Sequence, residues 1–211
     1  MYHLRAYCIY TVNSKKDTIY ANDRIFKTTF GGDVQWTWGN NGKGKSGDAT
    51  VDARISQALD SAMYYYNNYS NLYHRINAYY DSGVPTADCT LSGTMRFGPG
   101  ETYQWVGTAQ HEISHAMGVG TAWNWSSFGD PWSKPIATQS IRVLLKDMTQ
   151  NIHGAYSGQI HFWPGGINYR KEVENPGTSN TKGVVFSGVY MLKVNAMMCN
   201  ALREDGLASY Y

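Results

Sequence analysis

The chain has 211 residues, enough for one domain that buries its own core without disulfide staples. Its 18 basic and 16 acidic residues leave a net charge of +2 and make up only 16% of the chain. That excludes a highly charged disordered protein and gives no electrostatic footprint for nucleic acid. No apolar run approaches the length of about 18 residues that a membrane span needs, and 17 Tyr, 7 Trp and 22 Gly beside so few charges suit a loop-rich extracellular protein.

In chain order, Leu4, Ala6, Cys8, Tyr10 and Val12 alternate and predict a strand over 2–12. Val34, Trp36 and Trp38 predict another, followed by a polar Gly/Asn/Lys loop at 39–48. Ile55, Leu59, Met63 and Tyr66, with Ala58 and Ala62 between them, form an apolar stripe that predicts a helix over 50–69, capped by Asp48 or Thr50. Ile76, Ala78 and Tyr80 predict a strand, Asp81 to Asp88 a loop, and Thr94 to Phe97 a short strand. A helix is expected from Tyr103 to Met117, stopped by Gly118. Residues 121–137 read as an aromatic loop broken by Pro131 and Pro135. Ile141, Leu144, Leu145, Met148 and Ile152 predict a helix ending near Gly154, and a Gly/Pro/aromatic stretch fills 154–186. A last helix over 188–205 carries Val194, Met197, Met198, Ala201 and Leu202 and stops at Gly206. Strands in the first half and helices in the second imply an α+β fold rather than a βαβ alternation. The expected organisation is one domain over 1–211, with a sheet-bearing part at 1–118 and a helical, loop-rich part at 119–211.

Cys8, Cys89 and Cys199 lie far apart and form no metal-type pair. One disulfide with a free thiol and three buried thiols are equally compatible with that spacing. Residues 1–10, MYHLRAYCIY, lack the apolar stretch of a secretory leader. An extracellular location would therefore make this a mature form.

The segment His111 to His115 reads HEISH and falls within the helix expected at 103–117. Positions i and i+4 put both imidazoles on one helical face, about 5–6 Å apart at Cβ. Two neutral imidazoles at that spacing can share one Zn²⁺. Glu112, one residue on, turns aside by about 100° on a helix of 3.6 residues per turn. From there it can hydrogen-bond a zinc-bound water without ligating the metal. A catalytic zinc takes three protein ligands and keeps one position open. Four downstream residues could supply the third: Asp130, His153, His161 and Glu172. His153 also suits the C-terminal end of the helix that precedes it. His161 lies in GQIHFWPGGINY, where Pro, paired Gly and aromatics would hold a side chain in place.

The continuation HEISHAMGVGT resembles the metzincin pattern HExxHxxGxxH through Gly118, but Thr121 stands where that pattern has its third ligand. Together with the later HFWPGGINY segment, the chain is similar over roughly residues 50–205 to secreted bacterial and fungal metzincin-like zinc proteins that share HExxHxxGxGT and HFWPxGxNY. The resemblance implies a zincin fold with a twisted mixed sheet and an active-site helix. It implies zinc held by His111, His115 and His161, and peptide or protein substrates cleaved with Glu112 as general base. It also implies a Tyr near the oxyanion, for which Tyr169 is the candidate. Thr94, Met95, Arg96 and Phe97 would form an edge strand that pairs with extended substrate. A Met lies beneath the zinc in such proteins, with Met191, Met197 and Met198 as candidates. Trp123, Trp125, Phe128 and Trp132 fit packing over a second small core, lining of a peptide pocket, or stacking on sugar rings. A glycan-binding module with a structural zinc, and an amide hydrolase acting on cell-wall substrates, are the alternative functions.

Overall fold

The computed structural model describes residues 30–129, 134–136, 161, 167, 170 and 191–210, and the backbone alone at 2–4, 7–12, 15–20, 24–26 and 188–190. The helix expected over 141–152, and with it Asp130, His153, Tyr169 and Glu172, lies outside the described residues. The chain separates into two compact units, Met1–Phe30 and Gly31–Tyr211. Within the second unit, helices on both sides of residues 118/119 share one core.

The first unit holds two antiparallel pairs. Strand β1 (Tyr2–Leu4) pairs with β4 (Arg24–Phe26), and β2 (Tyr7–Val12) pairs with β3 (Lys15–Tyr20), with Val12 opposite Lys15. The strand expected over 2–12 is thus two strands with different partners. Alternation alone does not reveal the break, because a period of two runs on unchanged through Arg5 and Ala6.

The second unit is built on a four-stranded sheet of β5 (Asp33–Trp38), β6 (Tyr73–Tyr80), β7 (Ala87–Cys89) and β8 (Thr94–Phe97), in the order β5-β6-β8-β7. The pairs β5–β6 and β6–β8 are parallel, and β7 runs antiparallel to β8 at the edge. Helix α1 (Ala49–Tyr69) makes the crossover from β5 to β6, one βαβ unit inside an otherwise α+β arrangement. Asp48 caps α1, its carboxylate accepting from the N–H groups of Thr50 (2.7 Å) and Val51 (3.3 Å), an interaction worth about 1 kcal/mol.

One face of the sheet is apolar, with Val34, Ile76, Ala78, Met95 and Phe97 buried against α1, α2 (Val106–Ala116) and α4 (Gly188–Glu204). The expected stripe on α1, Ile55 through Tyr66, is fully represented in that core. A four-residue helix, α3 (Trp125–Phe128), lies in the aromatic loop. Phe128 is buried there, and Trp125 stacks on it with ring centroids 6.3 Å apart. Trp123 stands 82% exposed, so packing accounts for two of these aromatics and not the third. Cys89 and Cys199 are buried free thiols.

Candidate metal centre

Helix α2 is buried on every side: all residues from Gly107 to Ala116 are inaccessible or nearly so. Six of them are polar: Thr108, Gln110, His111, Glu112, Ser114 and His115. Burial of polar groups costs free energy unless partners or a function compensate. Part of the polarity knits the helices together. Gln110 donates from Nε2 to the Leu192 carbonyl on α4 (2.9 Å). The Tyr66 hydroxyl of α1 lies 3.0 Å from Asn195 Oδ1 and 3.2 Å from the Gln110 carbonyl.

His111 and His115 project from the same face, with ring centroids 5.1 Å apart. His161, from a distant part of the chain, completes a triangle, 4.7 Å from His111 and 5.1 Å from His115. One ring nitrogen from each lies within 4.8 Å of the others, a group that could hold a metal ion. Burial lowers the pKa of His115 and His161, and His161 is lowered further by its neighbour His115. Both are therefore neutral at pH 7, the form that ligates.

The end of α2 fixes the tautomer of His115. Gly118 adopts φ +106°, closed to residues with a side chain, and a Cβ there would meet the Ala208 carbonyl oxygen at 2.5 Å. The helix ends in a Schellman motif, with the N–H of Val119 donating to the Ser114 carbonyl and that of Gly118 to the His115 carbonyl, both at 3.0 Å. This turn brings the Val119 carbonyl back over the helix, where it accepts from His115 Nδ1 at 2.7 Å. Since a carbonyl can only accept, Nδ1 carries the proton and Nε2 keeps its lone pair for a metal. Thr121 donates its hydroxyl to the His115 carbonyl, which accounts for a threonine at the position the metzincin pattern gives to a ligand.

Glu112 is buried beside the cluster. Burial pushes its carboxyl up to about 8, with a further push from the carboxylate of Asp88. It forms no hydrogen bond or ion pair with any described residue. A buried carboxylate with no hydrogen-bond partner among the described residues is a candidate for chemistry.

The four residues expected as an edge strand are not at an edge. Strand β8 lies between β6 and β7, so both its sides are paired. Met95 and Phe97 are core residues, Thr94 ends the parallel pairing opposite Asn77, and Arg96 clamps Asp88 through Nε (2.9 Å) and Nη2 (2.5 Å) and reaches Asp81 at 3.0 Å. The two edges of this sheet are β5 and β7, and β7 carries Asp88, whose charge acts on Glu112. Sequence reading takes 81–88 as a loop, although Ala87 and Cys89, both buried and two apart, are the faint mark of a short strand. The Val119 carbonyl leaves no mark in a side-chain pattern. Met191 and Met198 are buried in α4, Met191 in a small second cluster with Trp105 and Ile167. No protein-family model matches the chain, and no match was found among curated proteins or solved structures.

Proposed function

We propose that this chain is a zinc-dependent peptidase of metzincin-like fold, acting on peptide or protein substrates outside the cell. The observation that carries the reading is the convergence of three imidazoles beside a buried glutamate that has no hydrogen-bond partner among the described residues. His111, His115 and His161 would hold the ion, and the all-nitrogen, neutral donor set suits zinc. Zinc so held would supply Lewis acidity, activating water near neutral pH and polarising a carbonyl.

Glu112 does the proton work. A carboxylate oxygen takes a proton from the attacking water and returns it to the leaving amine. The outer edge of β7 would offer main-chain groups to an extended substrate, a form of recognition that tolerates many sequences. A binding module with a structural zinc would give Glu112 no task.

The test is metal analysis of the purified chain together with hydrolysis of a mixed peptide library and of cell-wall fragments. One zinc per chain with cleaved peptides supports the reading. Zinc bound with only cell-wall amides cleaved would move the substrate class, and a chain that binds zinc yet cleaves neither would overturn it.

A further inference from the structure

Away from the histidines, α4, the start of β6 and the end of α2 enclose a cavity of about 340 Å³, within the size range of small-molecule sites. Leu72 and Met117, both buried, give it an apolar floor. Its wall is otherwise mostly polar and includes Asn71, His74, Asn200, Arg203, Glu204 and Ser209.

Arg203 is the unusual member. Its guanidinium is half-buried, and its one hydrogen bond runs from Nη1 to the Leu207 carbonyl at 2.6 Å. Among the described residues no carboxylate lies within ion-pair distance of it. Glu204, next in sequence, instead accepts from Asn200 Nδ2 at 2.7 Å. Arg203 also stands in the last turn of α4, where a cation suits the helix end, but this engages only Nη1. Helix α4 closes with its own Schellman motif, the N–H groups of Leu207 and Gly206 taking the carbonyls of Leu202 and Arg203. Burial pulls the guanidinium pKa down.

An arginine carries five N–H donors in a planar fork matched to carboxylates. Here Nε and Nη2 have no partner among the described residues. Asn71 adds a donor at Nδ2, since its engaged groups are Oδ1, accepting from Gly31 N–H, and its own N–H, donating to Asn200. We propose that this cavity binds a small monocarboxylate with an apolar body. The carboxylate is held by Arg203 and Asn71, and the hydrocarbon covers Leu72 and Met117. Inorganic phosphate would satisfy the arginine but leave the apolar floor in water, so the apolar body decides between the two anions.

Titration of the full chain with 4-methylpentanoate, 4-methylpentanamide and inorganic phosphate, followed by heteronuclear NMR, tests this. Saturable shifts at Arg203 Nε and the Met117 methyl are expected with the acid, with binding at least tenfold weaker for the amide and for phosphate. Arg203→Gln should weaken the acid tenfold or more, and Arg203→Lys should fall between. The idea fails if nothing saturates, if the amide or phosphate matches the acid, or if shifts appear only at the three histidines. The acid–amide comparison uses the unaltered protein, so it stands even where a variant does not fold.

Discussion

The Nδ1 of His115 lies 2.7 Å from the carbonyl oxygen of Val119, four residues further along the same chain. The proposed ligand and its orienting group are therefore parts of one helix ending, and the geometry of that ending sets which ring nitrogen carries the proton. Gly118 is the pivot. Gly118→Ala combines a left-handed backbone with a Cβ driven at Ala208. It should destabilise the fold by about 2–4 kcal/mol. Zinc affinity should fall as well, because Val119 no longer holds the imidazole. A chelator competition on the folded variant reads this. An unchanged affinity would show that the turn does not orient His115.

Proton competition offers a second check. The pKa values of His115 and His161 are held below the ordinary imidazole value. Protons therefore displace zinc only below about pH 6.5, where exposed histidines would already be losing it. Zinc retention measured against a chelator between pH 5 and 8 should show a midpoint under 6.5. A midpoint above it would contradict the burial of these rings. His161→Ala should release the metal throughout this range.

Glu112→Gln keeps the shape of the side chain and removes its base. Peptide hydrolysis should drop by about 10²–10⁴ while zinc content stays the same. Loss of zinc along with activity would instead mark Glu112 as a ligand.

The same substitution has a separate signature in the metal-free protein. The Glu112 carboxyl is raised in the fold from its ordinary value near 4.5 to about 8. Its contribution to stability is thus fully present below pH 4.5 and is lost as pH rises through 8. Glu112→Gln should melt higher than the parent at pH 8, by an amount on the order of 2–4 kcal/mol, and no higher at pH 4. Parallel melts in excess chelator measure the gap. A gap independent of pH would mean that the carboxyl is not desolvated.

Burial also governs the thiols. Cys199 is pushed up to about 12 and Cys89 well above its ordinary value, chiefly by desolvation. A thiol reagent at pH 8 should modify at most one of the three cysteines in the native chain and all three after denaturation. Stability tied to Cys199 should be complete below pH 9 and decline as pH climbs towards 12, a decline that Cys199→Ala should soften. Rapid native modification of two thiols would be inconsistent with this core.

Part of the second unit was legible from periodicity because α1 buries one continuous stripe. Ile55, Leu59 and Tyr66 predict α1 to within a residue at its start, and HEISH marks α2 on its own. The role of Thr94 to Phe97 was not legible. Both an edge strand and an inner strand alternate, and only the neighbour on the far side tells them apart; here that neighbour is the three-residue β7. The nearness of His161 to His111 depends on tertiary folding, which no local pattern encodes. The tautomer of His115 depends on a backbone carbonyl, which every residue has.

Asn124 donates to the Gly206 carbonyl and accepts from the Ala208 N–H, both at 3.0 Å, while the Ala208 carbonyl fills the space left at Gly118. The loop that finishes the histidine helix is thus clasped by residues more than 80 positions later in the chain. During synthesis the helix can coil early, but its ending cannot lock until residue 208 has left the ribosome. A nascent chain arrested before that point should hold HEISH without the turn that orients it, so the motif is made well before the geometry that aims its second imidazole.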